Sequence, residues 1–122
     1  MEGQVLVADD NATLASLFAD ALRRGGFEVH IATDGREALN WLATTVPLAI
    51  LLDIEMPHVD GRDVLSRLSR DPRLATVPVL VVTGRDDEYL TDYVISLGAR
   101  DVLIKPVSTA EVVARVRRLL LS

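Results

Sequence analysis

Short apolar segments alternate along the chain with longer stretches in which apolar residues recur at helical spacing. Most of the short segments are rich in β-branched residues and lack polar alternation, which is typical of strands covered on both faces. Each segment is followed by an amphipathic stretch, so the order is strand then helix, five times. The predicted strands lie at 5–8, 29–32, 48–52, 79–82 and 102–104.

The repeated strand–helix order predicts a parallel sheet with right-handed crossovers and helices on both faces. We therefore expect a doubly wound α/β domain, flavodoxin-like, with five strands in the order 2-1-3-4-5 and five helices. The second strand contains His30 and follows Gly25 and Gly26, so we place it at an edge of the sheet. Ser108 and Glu111 fit a capping box at the start of the fifth helix.

Composition limits the functions that this domain can have. The chain has 122 residues and no repeat or linker, so we expect residues 1–122 to form a single domain. Its net charge of −5 argues against a protein that coats nucleic acid or an anionic membrane. The absence of cysteine excludes a thiol nucleophile and a cysteine zinc site. With no apolar run long enough for a bilayer and no secretory signal, the expected location is the cytoplasm.

Chemically useful side chains follow four of the predicted strands. Asp9 and Asp10 follow the first strand, Asp53 the third, Thr83 the fourth and Lys105 the fifth. The carboxyl ends of parallel strands share one edge, and open sheets of this type bind ligands where the strand order reverses, here between strands one and three. We therefore expect these five side chains to meet in one acidic pocket.

The acidic pocket predicts a bound cation. Three adjacent carboxylates repel one another unless a cation joins them. Because the ligands are all oxygen atoms, the natural ion is Mg²⁺, with Mn²⁺ as the alternative. Lys105 adds a second positive charge and Thr83 a hydroxyl donor. A carboxylate nucleophile, a divalent cation, an ammonium and a hydroxyl together suit phosphoryl transfer.

These residues, in this order, resemble the receiver domain of bacterial two-component response regulators. The resemblance covers essentially the whole chain, and it is the set of motifs in order, rather than any single one, that is specific. It implies a phosphorylation-activated switch rather than a metabolic enzyme, with only autophosphorylation and autodephosphorylation of its own. The matching motifs are Asp9-Asp10, Asp53, Met56-Pro57, Asp60-Gly61, Thr83-Gly84 and Lys105-Pro106.

The resemblance also implies an acceptor and a set of metal ligands. Asp53 would accept the phosphoryl group from a phosphohistidine on a sensor histidine kinase or a phosphotransfer protein. The carboxylates of Asp10 and Asp53 and the backbone carbonyl of Glu55 would ligate Mg²⁺. Asp9 would act largely through water.

The remaining implied roles concern the response to phosphorylation. Lys105 would pair with Asp53 and then with the phosphoryl oxygens, and a cis peptide bond would precede Pro106. Thr83 would move to hydrogen-bond the phosphoryl group, and the loop after strand four would move with it. The face made by helix four, strand five and helix five would then control a partner or output domain, and a homodimer is a further candidate assembly.

One position departs from the receiver pattern. Receivers usually carry Tyr or Phe three residues before the lysine, where the ring turns inward as the threonine moves, and here that position is Val102. Valine has no ring to turn. The coupling between Thr83 and the output face is then either weaker or carried by the backbone.

Two charged residues flank the expected phosphoryl site. Glu55 lies two residues after Asp53, and Arg85 lies two residues after Thr83. We expect them to pair across the mouth of the pocket. Such a pair would hinder the attacking water and lengthen the lifetime of the phosphorylated state.

Three other functions compete with the switch. A receiver-like scaffold would keep the fold and bind partners without phosphorylation; the presence of Asp53 and Lys105 argues against it, while Val102 keeps it open. An aspartate-nucleophile phosphatase would also use Mg²⁺. Such enzymes are expected to carry an Asp-x-Asp motif after the first strand, whereas the candidate nucleophile here, Asp53, follows the third. A flavin- or dinucleotide-binding domain would need a glycine-rich phosphate loop, which does not follow the first strand.

Overall fold

The computed structural model describes residues 3–121, which form five strands and five helices in strict alternation. The strands are β1 (Gln4–Ala8), β2 (Glu28–Ala32), β3 (Ala49–Leu52), β4 (Val79–Thr83) and β5 (Asp101–Ile104). The helices are α1 (Ala12–Arg24), α2 (Gly35–Leu42), α3 (Gly61–Arg70), α4 (Glu88–Ser96) and α5 (Thr109–Leu121). All strands pair in parallel in the order β2-β1-β3-β4-β5, which confirms the predicted fold.

The helices cover both faces of the sheet and enclose an apolar core on each side. On one face, Leu51 of β3 belongs to an apolar cluster with Phe18 of α1 and Val116 of α5. On the other face, Leu52, which is next in the same strand, belongs to an apolar cluster with residues of α2, α3 and α4. Because successive side chains of a strand point to opposite faces, a strand buried on both sides must be apolar throughout, as β3 is.

Polar side chains fix the start of each helix. In each case a side-chain oxygen at the N-cap accepts a backbone N–H of the first turn, which would otherwise have no partner. The helix α4 begins at Glu88 because Asp87, rather than Asp86, caps it. The capping residues are Asn11, Asp34, Asp60, Asp87 and Ser108.

The strand β2 lies at the edge of the sheet, as predicted. Its His30 stacks against Trp41 of α2, with ring centroids 4.7 Å apart and an angle of 4° between the planes. This contact gives both half-buried rings a packing role at the open side of the sheet. Within residues 3–121, no helix is long and apolar enough to cross a bilayer.

Candidate functional site

Hydrogen bonds to neighbouring strands fix the backbone of three of the predicted site residues. The N–H of Asp53 donates to the carbonyl of Ala8 at the end of β1 (2.9 Å), and that of Asp9 donates to the last residue of β2 (3.0 Å). The N–H of Lys105 donates to the carbonyl of Thr83 (2.7 Å). The side chains therefore leave the sheet at one edge from anchored positions, as the alternating strand–helix order predicted.

Three carboxylates and one ammonium group meet at this edge. Asp9, Asp10 and Asp53 each place one carboxylate oxygen within 4.8 Å of the others. The Nζ atom of Lys105 lies 3.1 Å from Oδ2 of Asp9 and 3.5 Å from Oδ2 of Asp53, so it bridges two carboxylates rather than one. The peptide bond that follows Lys105 is cis, as the resemblance implied.

The buried carboxyl group of Asp53 favours its protonated form. Its side chain is nearly inaccessible, and this burial raises its pKa to about 7. The positive charge of Lys105 and the backbone N–H of Glu55 act in the opposite direction, whereas the charge of Asp9 and a hydrogen bond that the protonated carboxyl of Asp53 donates to Asp10 raise the pKa further. One ammonium group therefore does not balance the negative charge of this cluster.

The cluster has the chemistry of a site for a hard cation. All three side chains offer oxygen ligands, and Asp10 is exposed while Asp9 and Asp53 are buried, so an ion could enter from the solvent side. A divalent ion would supply the positive charge that the carboxylates lack. These residues could therefore hold a metal ion.

The buried hydroxyl group of Thr83 lies between two other groups. Its Oγ1 accepts the backbone N–H of Arg85 at 3.2 Å and lies 3.5 Å from Oε1 of Glu55. The predicted ion pair between Glu55 and Arg85 is wrong, because the guanidinium group of Arg85 contacts Asp87 at 2.7 Å. Asp87 lies two residues along the same loop, so this contact orders less chain than a contact across the pocket would.

Comparison with known proteins identifies the family. Residues 5–117 match the model of the response regulator receiver domain. The chain belongs to this family. The sheet order is common to receivers and flavodoxins, so it is the family match that assigns the chain to the receivers rather than to a flavin-binding family.

Full-length relatives of this receiver domain are longer than the chain. It is 37% identical over 120 residues to the alkaline phosphatase synthesis transcriptional regulatory protein PhoP of Bacillus subtilis, covering 98% of the chain and 49% of PhoP. It is 44% identical over 119 residues to the transcriptional regulatory protein PrrA of Mycobacterium leprae, covering 96% of the chain and 49% of PrrA. The chain thus spans about half the length of these relatives.

Solved receiver domains share the whole fold. The receiver domain of response regulator 1452 from Francisella has a TM-score of 0.90 and 30% identity, with 98% of each chain covered. The signal receiver domain of a signal transduction histidine kinase from Syntrophus aciditrophicus has a TM-score of 0.90 and 31% identity, covering 98% of this chain and 91% of that one. Similar receiver domains therefore occur both in regulators and in a kinase.

A close backbone approach below the site of this receiver domain was not foreseen from the sequence. Gly61 is the first residue of α3, directly after the N-cap Asp60. The structure adds that a Cβ atom at Gly61 would lie 2.4 Å from the carbonyl oxygen of Asp53 and 2.6 Å from Cα of Ile54. Any side chain at this position would push against the backbone that carries Asp53.

We expect Gly61→Ala to lower the free energy of unfolding by about 1–3 kcal/mol, the cost typical of an added carbon in a packed site. Gly84→Ala is the matched control, since a Cβ atom there would meet no atom within 4 Å. Urea unfolding followed by circular dichroism measures both variants. Equal stability of Gly61→Ala and the wild type would show that the backbone relaxes without cost.

Proposed function

We propose that this receiver domain is a cytoplasmic, phosphorylation-activated switch that accepts a phosphoryl group on Asp53. The donor would be a phosphohistidine of a sensor histidine kinase or phosphotransfer protein. The observation that carries the proposal is the meeting of the carboxylates of Asp9, Asp10 and Asp53 with the ammonium group of Lys105 at one edge of the sheet. Membership of the receiver family supports the same function.

The transfer step assigns Asp53 the role of nucleophile. Its carboxylate oxygen attacks phosphorus while the bond between phosphorus and the donor histidine nitrogen breaks, and the electron pair of that bond stays on the nitrogen. The product is an acyl phosphate on Asp53. Lys105 can stabilise charge on the phosphoryl oxygens, because its Nζ already lies 3.5 Å from Asp53.

A divalent cation fits the same proposal. We assign Mg²⁺, with Mn²⁺ as the alternative, to the carboxylates of Asp10 and Asp53 and the backbone carbonyl of Glu55, with Asp9 acting largely through water. When bound, the ion supplies positive charge to the transferring phosphoryl group. It also favours the ionised form of Asp53, the form that can attack.

Hydrolysis of the acyl phosphate on Asp53 would return the switch to its unphosphorylated state. In hydrolysis, a water oxygen attacks phosphorus, the bond between phosphorus and Asp53 breaks, and inorganic phosphate leaves.

While it is attached, the phosphoryl group adds a charge of about −1.5 to −2 and three acceptor oxygens. The hydroxyl of Thr83 can donate a hydrogen bond to one of these oxygens. We propose that the resulting change reaches a partner, an output domain or a second copy of the chain through α4, β5 and α5.

A second candidate function is a scaffold that binds partners without phosphorylation. The observation that favours it is Val102, a half-buried aliphatic side chain at the position where receivers usually carry an aromatic ring. A scaffold of this kind would keep the partner surface and not respond to a phosphodonor.

Intact mass spectrometry tests the acceptor directly. Incubated with Mg²⁺ and acetyl phosphate, the wild type is expected to gain the mass of one phosphoryl group, and Asp53→Asn is expected to gain none. Asp92→Asn, which removes an exposed carboxylate from α4, is the charge-matched control and should react like the wild type. Removing the divalent ion with a chelator should abolish the gain. An unmodified wild type would favour the scaffold, and a modified Asp53→Asn would place the acceptor elsewhere.

A further inference from the structure

We propose that phosphorylation is transmitted from Thr83 to the start of α4 through Arg85, whose guanidinium group joins the loop after β4 to the cap of that helix. This inference rests on the proposed function, because the transmitted change begins with the modification of Asp53. It gives Arg85 and Asp87 a positioning role in transmission rather than a role in the chemistry.

The first step is the hydrogen bonding of one buried hydroxyl group. Thr83 is 1% exposed, so water does not readily replace a partner that its side chain loses. Its Oγ1 accepts the N–H of Arg85 and faces Glu55. A hydroxyl has one proton, so donation to a phosphoryl oxygen on Asp53 excludes donation to Glu55. Reorientation of Oγ1 also moves the acceptor that holds the backbone of Arg85.

The second step is the contact between Arg85 and the helix cap. One carboxylate oxygen of Asp87 lies 2.7 Å from the guanidinium group of Arg85. The other oxygen accepts the backbone N–H groups of Tyr89 (3.0 Å) and Leu90 (3.3 Å) in the first turn of α4. The same carboxylate therefore holds both the loop and the helix. A shift of Arg85 must either move this carboxylate or break the ion pair.

The aliphatic side chain at Val102 offers a poor alternative route. It is half-buried and packs against the apolar core beneath α4. A β-branched side chain has few rotamers and no polar atom, so it exchanges little volume when its neighbours move. The polar contacts of Arg85 connect the site and α4 without such an exchange.

The chain contains a matched control for the ion pair. Arg73 contacts Asp71, two residues before it, at 3.0 Å, with exposures of 46% and 32% for the two side chains. The corresponding exposures are 45% and 32% for Arg85 and Asp87. Arg73 lies in the loop between α3 and β4 and also donates to the carbonyl of Leu42 at 3.0 Å, so this pair has the same chemistry but lies outside the proposed route.

Amide NMR shifts of the ¹⁵N-labelled chain test the inference. Mg²⁺ and acetyl phosphate are added, and intact mass of the same sample gives the fraction of chains that are phosphorylated. Per phosphorylated chain, the shift changes of Tyr89 and Leu90 are expected to be roughly two- to fivefold smaller in Arg85→Gln than in the wild type, the range expected for an exposed ion pair. Arg73→Gln should respond like the wild type.

A double-mutant cycle completes the test. Asp87→Asn keeps an oxygen suited to the N-cap but removes the charge, so it should reduce the shifts as Arg85→Gln does, and the double variant should lose no more than either one. A full response of α4 in Arg85→Gln would overturn the proposed route, as would an equal loss in Arg73→Gln. An unmodified wild type would instead overturn the proposed function and this inference with it, and the mass spectrum separates that outcome from the others.

Discussion

Replacing Lys105 with methionine is expected to slow phosphorylation of Asp53 by about 100-fold or more. The ammonium group lies 3.1 Å from Asp9 and 3.5 Å from Asp53, and it is the cation within residues 3–121 that contacts both carboxylates. Without this positive charge, the carboxylates repel the negatively charged phosphoryl group more strongly during the transfer. Methionine fills a similar volume, so the change removes charge more than packing.

The same substitution is expected to tighten Mg²⁺ binding by about tenfold, because the ion no longer competes with a nearby ammonium group. Mass spectrometry at timed intervals with acetyl phosphate gives the rate, and calorimetric titration gives the affinity for Mg²⁺. Lys105→Arg is the control that keeps the charge. If Lys105→Met lost affinity for Mg²⁺ together with rate, the lysine would have a structural role in forming the site.

The placement of the acidic site arises from features that a sequence shows well. A strand that is apolar throughout, such as β3, predicts burial on both faces, and its parallel pairing is a consequence of the helix between consecutive strands. Residues directly after such strands must lie at one edge. This rule predicted that Asp9, Asp10, Asp53 and Lys105 lie close together, and the structure confirms it.

Contacts that depend on loop conformation could not be predicted in the same way. The expectation for Arg85 used only charge and proximity, and several carboxylates satisfy both, so the nearer Asp87 was missed. Gly61 shows the same limit, because the need for glycine arises from the carbonyl group of Asp53 rather than from the turn itself. Such positions have no periodicity along the chain that could indicate their neighbours.

Without divalent cations, the free energy of unfolding is expected to fall as pH rises from about 4 to about 7. Burial raises the pKa of Asp53 from 3.8 to about 7 in the folded chain, so the folded state holds a proton that the unfolded state has already released. Below pH 4, Asp53 is protonated in both states and does not lower the free energy of unfolding. Above pH 7, it is ionised in both states and its full destabilising effect is present. The pKa values of Asp60 and Asp87 are lowered, so their contributions are lost below about pH 4 and are constant across this range.

Because Asp10 beside the site is exposed, solvent screens part of the effect of ionising Asp53. We therefore expect the free energy of unfolding to fall by about 1–2 kcal/mol between pH 4 and pH 7. Urea unfolding from pH 4 to pH 8 should show the fall in the wild type and in the control Asp92→Asn, whereas the stability of Asp53→Asn should stay nearly level. Mg²⁺ at about 100 times its dissociation constant should add about 2.7 kcal/mol at pH 8 and much less in Asp53→Asn. Wild-type stability that rises between pH 4 and pH 7 would contradict the raised pKa, because protonation of Asp53 would then oppose folding.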